Sequence, residues 1–270
     1  HPILQQNIAI LKNLGVRFIH PESGDLACGY QGTGRMAEPL NIANEIEKFF
    51  DSQLILSSKK ILVTAGPTYE PIDPVRFIGN KSSGKMGFAI AEALASTGAD
   101  VILISGPTCL NVSHPNITLV NVTTTKDMLE KCNLYYDDVD GVIMNAAVSD
   151  FYPVNFSKEK IKKTDHLTIE LAKNPDILSE LAKKKKHQWL IGFALETDNE
   201  LNNAIEKLKN KNLDAIILNS AKDEKIGMGS DFNKITIIKK DGTTIQSDVD
   251  NKKSLAYFIV DKLILDLCKK

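Results

Sequence analysis

The chain has 270 residues, 43% hydrophobic and 25% charged, and its 33 Lys and Arg residues against 34 Asp and Glu residues give a net charge of -1. This composition excludes a disordered or collagen-like protein. A near-zero net charge argues against binding to nucleic acid or to an acidic membrane surface. We therefore expect a globular protein whose partner is a small molecule.

The four cysteines and the apolar segments indicate where the protein works. Cys28, Cys109, Cys132 and Cys268 show neither metal-ligand spacing nor a disulfide pattern. No apolar run approaches the roughly 20 residues that a membrane span requires, and no signal-peptide pattern is present. These features predict a reduced, cytoplasmic chain, and we assign no metal ligands.

Residues 1–57 read as a unit of their own. A helical pattern runs from Ile3 to Leu14, a short strand is predicted over 16–19, a glycine-rich loop spans 24–35, and a helix covers 39–50. A polar stretch over 51–59 is typical of a linker. Because these elements cannot enclose a core, we expect the C-terminal remnant of a larger domain.

From residue 58 onward, apolar strands alternate with helical patterns. The predicted strands are 61–64, 101–105, 117–122, 141–145, 189–194 and 213–219. Helices are expected over 85–96, after the Asn174-Pro175-Asp176 cap, over 200–210 and over 252–267. The segment 235–246, with Asp241-Gly242 at its centre, predicts an antiparallel hairpin. The fold class is therefore α/β: a Rossmann-like, doubly wound, mostly parallel sheet with helices on both faces.

The long loop after the first strand predicts an anion site. It lacks the GxGxxG pattern of dinucleotide folds, and although 79–85 match GxxxxGK, Met86 stands where a phosphate loop needs Ser or Thr. Ser82, Ser83 and Gly84 open a helix whose free N–H groups attract negative charge, and Arg76 and Lys85 lie nearby in sequence. The alternative for the serines is an ordinary capped helix start.

Two interpretations, a ligand-binding role and a structural role, are open for other residues at strand ends. Ala146 and Ala147 allow a planar group to approach the backbone, and Asp150 either accepts from ribose hydroxyls or caps a helix. Phe193 either stacks on a base or belongs to the core. Lys207 and Lys211 are four residues apart and share one helix face, whereas Lys160 lies in a charged loop. Each of these lysines either contacts phosphate or is solvated. Cys28 lies among glycines and reads as accessible and reactive.

Six ordered strings carry a family resemblance. They are AGPTYEPIDPVRFIGNKSSGKMG (65–87), NAAVSDF (145–151), EKIKK (159–163), KNPDIL (173–178), GFALET (192–197) and KLKNKNLD (207–214), joined by ACGYQGTGRM (27–36). Together they resemble the bacterial bifunctional enzymes that join phosphopantothenoylcysteine decarboxylase to phosphopantothenate–cysteine ligase in coenzyme A biosynthesis. The resemblance covers nearly the whole chain and identifies residues 58–270 with the ligase domain.

The resemblance implies a ligase that uses CTP and Mg²⁺. It would join 4′-phosphopantothenate to L-cysteine through an acyl-cytidylate and release CMP and pyrophosphate. The implied catalytic residues are Asn80, which orients the acyl carbonyl, and Lys160, on a loop that closes over the phosphate. The implied nucleotide-binding residues are Asp150, Lys160, Phe193, Lys207, Lys211, Ala146 and Gly192. The implied substrate-binding residues are Arg76, Asn80, Ser82, Ser83, Gly84, Lys85 and Ala147.

The same resemblance makes Cys28 the proton donor of the decarboxylase half. FMN is then expected only in a flavin domain that this sequence lacks, so the chain alone is not expected to decarboxylate. The resemblance also implies a homodimer of the ligase domain and a larger assembly of the full-length protein.

Two other functions fit the same fold. One is an NAD(P)-dependent oxidoreductase of Rossmann type, and the other is a non-catalytic nucleotide-binding module. Nucleotide preference separates the first from the ligase, and the production of pyrophosphate separates the second.

Overall fold

The computed structural model describes residues 1–25, 29–51, 54–196, 199–220 and 229–268. Its chain divides into two compact units, His1–Leu54 and Ile55–Lys270. This division lies close to the predicted boundary after residue 57. That the first unit is the remnant of a larger domain stays a prediction.

The first unit holds two helices and a small hairpin. Its elements are α1 (Pro2–Asn13), β1 (Glu22–Asp25), β2 (Gln31–Arg35) and α2 (Pro39–Asp51). The strand predicted over 16–19 is wrong, because Val16 N–H donates to the Leu11 carbonyl and closes the end of α1. The predicted glycine-rich loop instead contains β1 and β2, which pair antiparallel. Backbone pairing, which glycine permits, overrides the low strand propensity of this segment.

The second unit is built around one eight-stranded sheet. Its strands are β3 (Lys60–Ala65), β6 (Asp100–Ser105), β7 (Ile117–Asn121), β8 (Gly141–Met144), β11 (Trp189–Glu196), β12 (Ala215–Ser220), β14 (Ile235–Lys239) and β15 (Thr244–Gln246). The helices are α3 (Lys85–Ser96), α4 (Thr125–Tyr135), α5 (Ile177–Lys183), α6 (Glu200–Asn210), α7 (Lys252–Ile259) and α8 (Leu265–Cys268). A 3₁₀ turn follows α4 at Tyr136–Asp138, and a π turn at Val260–Ile264 joins α7 to α8.

The strand order confirms the predicted fold class. Across the sheet the order is β15-β14-β12-β11-β8-β3-β6-β7. The six strands from β12 to β7 pair parallel, whereas β14 pairs antiparallel with β12 and with β15. In chain order the parallel strands follow the doubly wound arrangement, with the reversal between β3 and β8. Ligands in such sheets bind beyond the carboxyl ends of the two strands at the reversal.

Each face of the sheet carries its own hydrophobic core. Side chains alternate along β3, so Ile61 and Val63 join the cluster that contains α3 and α7, whereas Leu62 joins the cluster that contains α4, α5 and α6. Full burial of one such side chain contributes roughly 1.5–3 kcal/mol. Leu56, inside the predicted linker, is 1% exposed and belongs to the α3 core, so the linker ends earlier than expected.

Short strands that the sequence did not predict flank the main sheet. They are β4 (Tyr69–Pro71), β5 (Phe77–Gly79), β9 (Phe151–Pro153), β10 (Leu171–Lys173), β13 (Phe232–Asn233) and β16 (Asp250–Asn251). They pair as β4–β5, β9–β10 and β13–β16. Strands of two or three residues are too short to show an alternating hydrophobic pattern in the sequence. Across the described residues, no helix is long and apolar enough to cross a membrane.

Replacing Tyr136 by phenylalanine is expected to stabilise the second unit by about 1 kcal/mol. Tyr136 is 2% exposed, and its hydroxyl forms no hydrogen bond with any described residue. Burial, reinforced by Asp137 and Asp214, raises its pKa to about 12, so the hydroxyl is neutral. Urea unfolding followed by Trp189 fluorescence measures the change. Tyr257→Phe, at an exposed tyrosine, is the control, and a loss of stability in Tyr136→Phe beyond that control would contradict the expectation.

Candidate ligand-binding crevice

A crevice lies beyond the carboxyl ends of β8 and β11, on the β8 side of the point where the strand order reverses. Its cavity of about 530 Å³ is of the size that small-molecule sites have. The lining comes from the β8 end and the loop after it (Met144–Asp150), from Lys173–Leu178, from β11 (Phe193–Leu195), and from Asn80, Lys211 and Asn219. A smaller cavity at the start of α3 shares Asn145, Ala147 and Asn219 with it.

The loop after β8 forms one wall of the crevice and is held by hydrogen bonds from distant residues. The Asn80 side-chain amide donates to the carbonyls of Ala147 and Val148 at 3.1 and 3.0 Å. The Ala146 amide donates to the hydroxyl of Thr64 at 3.1 Å. Because two separate segments fix this backbone, the wall is preorganised before a ligand arrives.

The start of α3 forms the second cavity and carries positive charge. Ser82, Ser83, Gly84, Lys85 and Lys252 line it. Gly84 has φ of 77°, a left-handed conformation that favours glycine, and its amide donates to Ser82 Oγ at 3.3 Å. The free N–H groups and the positive end of the helix dipole make this end suited to an anion.

Two lysines and one acid set the charge beside α3. Lys85 Nζ lies 2.6 Å from Asp231 Oδ1, and this hydrogen bond and its charge lower the pKa of Asp231. Lys252 is 7% exposed. Burial, followed by the charge of Lys85, lowers the pKa of Lys252, while Asp231 opposes the shift. An incoming anion would compete with Asp231 for Lys85.

The opposite end of the crevice contains an ion pair and an aromatic ring. Asp176 caps α5 by accepting from the Ser179 amide at 3.0 Å, and Lys211 Nζ lies 2.6 Å from Asp176 Oδ2. Burial opposes the ionisation of Asp176, but the hydrogen bonds from Lys211 and Ser179 outweigh it and lower its pKa. Phe193 is half-buried and lines the cavity between these groups and the loop after β8.

The structure brings part of the predicted site together. Asn80, Ala146, Ala147, Asp150, Phe193 and Lys211 line the larger cavity, and Ser82, Ser83, Gly84, Lys85 and Ala147 line the smaller one. Their roles toward a ligand stay predictions. The predicted cap at Asn174 is wrong: Asp176 caps α5, and Nδ2 of the Asn174 side chain donates to the Ser149 carbonyl at 2.9 Å.

Other predicted site residues lie elsewhere. Lys160 and Lys207 are exposed and line neither cavity. Gly192 is buried against Leu178 and Leu213, where an added Cβ would approach to 2.9 and 3.0 Å, so it serves helix packing. Cys28 lies outside the described residues.

Arg76 helps to hold a loop, and its contact with an anion stays a prediction. Its guanidinium contacts Asp73 Oδ2 at 3.1 Å and donates to the Ile161 carbonyl at 3.4 Å. Asp73 is 2% exposed and also accepts from the amides of Val75, Arg76 and Ile161. Burial opposes its ionisation, but these amides and the charge of Arg76 lower the pKa of Asp73. The segment that contains Lys160 is therefore anchored through Asp73.

The Asp73→Asn variant is expected to release this segment. Asparagine offers one acceptor oxygen where Asp73 uses two, so we expect cleavage by a protease within 155–170 to accelerate about tenfold, and Asp165→Asn, in the same exposed segment, serves as the control. In the unmodified chain the anchor is complete above the ordinary pKa of 3.8 and weakens only as the pH falls through the lowered value. Equal cleavage rates in both variants would contradict this role.

Several lining residues were not predicted as site residues from the sequence. Asn145, Asn174, Asn219 and Lys252 come from four separate segments. Asn145 and Asn219 both lie at the carboxyl ends of predicted strands, a signal that could have marked them. Lys252 gave no such signal, because it lies at the start of the closing helix. Metal ligation has no candidate in the described part of the chain, where no group of three or more His, Cys, Asp or Glu residues could hold an ion.

Comparison with known proteins gives the family. Residues 56–266 match the model of the DNA/pantothenate metabolism flavoprotein C-terminal domain. The chain belongs to this family. It is 45% identical over 98% of its length to a cysteine/cysteine sulfinic acid decarboxylase from an unidentified prokaryote, covering 75% of that protein. It is 44% identical over 97% of its length to the coenzyme A biosynthesis bifunctional protein CoaBC of Bacillus subtilis, covering 66% of it.

Solved structures agree with this membership. The C-terminal domain of a CoaBC protein superposes with a TM-score of 0.69 at 42% identity, over 80% of this chain and 99% of that one. The DNA/pantothenate metabolism flavoprotein from Streptococcus pneumoniae gives a TM-score of 0.66 at 30% identity, over 76% of this chain and 98% of that one. The predicted resemblance to the bifunctional CoaBC family is confirmed.

The same findings correct the predicted reaction and cofactor. The region expected to be a CTP-dependent ligase matches a family described as a flavoprotein domain, and similar proteins include a flavoprotein and a decarboxylase. These findings overturn the predictions of a CTP-dependent ligase and of a flavin confined to a missing domain. They support neither ligase activity nor CTP nor magnesium. The motifs misled because loops at a strand reversal report recognition of a ring and a phosphate, which flavins and nucleotides share.

Proposed function

We propose that this chain acts in coenzyme A biosynthesis on a phosphorylated, pantothenate-derived substrate, as part of an FMN-dependent phosphopantothenoylcysteine decarboxylase. The observation that carries the proposal is a crevice at the carboxyl ends of β8 and β11 that adjoins the positive start of α3, in a family described as flavoproteins. The chain spans about two thirds of the Bacillus subtilis protein, so the activity of the whole protein is part of the proposal.

The described residues fit the three parts of FMN. Its flat ring needs a slot between small or aromatic groups, which Ala146, Ala147 and Phe193 offer. Its ribityl hydroxyls need acceptors, which Asp150 offers. Its phosphate needs N–H donors and positive charge, which the start of α3 and Lys85 supply. A nucleotide carries similar parts, and the family description is what favours FMN.

Each of these residues would have a defined task. Bound FMN supplies a ring that accepts electrons from a substrate. Asn80 holds the wall beside the ring through the Ala147 and Val148 carbonyls, and Asp150 orients hydroxyl groups. The half-buried Phe193 excludes water from one face. That Cys28 donates the proton to the decarboxylated product stays a prediction.

Release of CO₂ from phosphopantothenoylcysteine tests the proposal. We expect the chain supplied with FMN to release CO₂, and Lys85→Gln to need about tenfold more FMN for the same rate because the FMN phosphate site loses a charge. Lys81→Gln, at an exposed lysine outside both cavities, is the matched control. No CO₂ release from any preparation with bound FMN would contradict the proposal.

A homodimer is also part of the proposal. Val75 and Phe77 near β5 and Phe151 and Tyr152 of β9 are large apolar side chains that are 39–60% exposed. Exposed apolar groups on neighbouring hairpins favour a protein partner. Sedimentation velocity at micromolar concentration is expected to show a dimer, and Phe77→Glu is expected to shift it toward monomer. A monomer in the unmodified chain would contradict this part.

A further inference from the structure

We propose that Glu70 is a positioning residue for the crevice, acting through a one-way chain of hydrogen bonds that runs from the Ser149 amide through Thr68 and Thr125 to its carboxylate. The inference concerns the wall after β8 and holds for any ligand that occupies the crevice. It rests on the proposed function only where a substrate serves as the probe.

The series of hydrogen bonds ends at a buried carboxylate. Glu70, in β4, is 4% exposed, and its Oε1 accepts from the Thr125 amide at 2.8 Å and from the Thr125 hydroxyl at 2.6 Å. Thr125 is the first residue of α4, so the carboxylate lies at the positive end of a helix. Both hydrogen bonds donate to a group that carries charge, which makes them stronger than neutral pairs.

The direction of every step follows from counting protons. A hydroxyl has one proton, and Thr125 gives its proton to Glu70. Toward Thr68, whose Oγ1 lies 3.0 Å away, Thr125 must therefore accept, so Thr68 donates. Having given its own proton to Thr125, Thr68 Oγ1 is free to accept from the Ser149 amide at 2.8 Å. Glu70 thus fixes the orientation of both hydroxyls.

The other end of this hydrogen-bond series, the Ser149 amide, lies in the crevice wall. Ser149 adjoins Asp150, and both line the cavity. The Ser149 carbonyl accepts from Asn174, and its hydroxyl donates to the Phe151 carbonyl at 2.8 Å. The Ser149 amide is the one polar group of this residue whose partner leads away from the crevice into the core. Hydrogen bonds in such a chain polarise one another, so loss of a remote member weakens the last bond.

A purely structural role makes a different prediction. If Glu70 and Thr125 only stabilise the start of α4, their loss lowers the stability of the unit but leaves the Ser149 amide protected. If they position the wall, the Ser149 amide becomes less protected even where the variant stays folded. Amide exchange at Ser149, measured by NMR on the full chain, separates the two roles.

The test uses threonine variants with a matched control. Thr125→Val removes the link, Thr125→Ser keeps its hydroxyl, and Thr97→Val removes a half-buried hydroxyl that donates to the Ala93 and Leu94 carbonyls of α3. In Thr125→Val we expect exchange at Ser149 to accelerate about tenfold and KM for phosphopantothenoylcysteine to rise several-fold with little change in kcat. Thr125→Ser is expected to restore both, and Thr97→Val to change neither.

Unchanged exchange at Ser149 in a folded Thr125→Val would overturn the inference. If that variant fails to fold, Thr68→Val, which removes the acceptor of the Ser149 amide directly, gives the same readout together with Thr68→Ser. Faster exchange in the valine variant and restored protection in the serine variant support the inference even if no variant acts on phosphopantothenoylcysteine. In that case it is the proposed function that fails.

Discussion

Gly106→Ala is expected to destabilise the second unit by about 3 kcal/mol. A Cβ at Gly106, which directly follows β6, would lie 1.6 Å from the Pro67 carbonyl oxygen and 2.8 Å from its carbon. Backbone atoms cannot yield as a flexible side chain can, so the loop after β3 must shift. Because Pro67 bridges to Ala147, the shift would also move the crevice wall. Urea unfolding followed by the fluorescence of Trp189 measures the loss.

Gly242→Ala is the matched control for this substitution. Gly242 has φ of 89° with nothing within 4 Å of an added Cβ, so alanine there meets only left-handed strain of about 1 kcal/mol. Both variants exchange the same atoms in the same unit. If Gly106→Ala lost no more stability than Gly242→Ala, close approach at Pro67 would not be what requires glycine.

Asp176→Asn is expected to tighten binding of an anionic ligand in the crevice several-fold. Lys211 is paired with Asp176 in this structure, and a phosphate or carboxylate must compete for it. Asparagine keeps an oxygen for the Ser179 amide, so α5 stays capped while the competing charge is lost. Partly exposed ion pairs contribute about 0.2–1 kcal/mol, which sets the modest size of the gain. Calorimetric titration with phosphopantothenoylcysteine measures it.

Lys211→Gln is expected to have the opposite effect and to weaken binding of the same ligand. The pKa of Asp176 is lowered by Lys211 and Ser179, so the pair persists above the ordinary value of 3.8 and breaks only as the pH falls through the lowered value. Affinity therefore gains nothing from Asp176 protonation between about pH 5 and 8. Weaker binding by Asp176→Asn would show that Lys211 is not available to a ligand.

The fold could be predicted because its strands are long and continuous. The parallel strands other than the edge strand β7 are largely buried on both faces, so runs such as 61–64 and 101–105 contain almost only apolar residues. The antiparallel hairpin could be predicted from the Asp241-Gly242 pair alone, because its turn needs a residue in the left-handed conformation that Gly242 adopts. The hairpins β4–β5 and β9–β10 were missed because three-residue strands carry no period, and their pairing depends on contacts between distant segments.

The candidate site was predictable where it follows a strand end or a helix start. Asn80, Asp150 and the serines before α3 lie in such places. Contact of Arg76 with an anion stays a prediction, and its pairing with the buried Asp73 was not predicted because the hydrogen bonds of Asp73 extend to Ile161, 88 residues away. Glu70 gave no signal, because its role depends on Thr125, which is 55 residues away in the chain. The reaction was misjudged because the motifs specify binding geometry and leave the chemistry open.

Calorimetric titration of the purified chain with FMN, and with CTP and NADPH in parallel, tests whether the crevice is a flavin site. We expect FMN to bind at micromolar concentration with quenching of its fluorescence, and Lys85→Gln to bind it more weakly while Lys81→Gln is unchanged. Binding of CTP without any binding of FMN would contradict the assignment to an FMN-dependent decarboxylase.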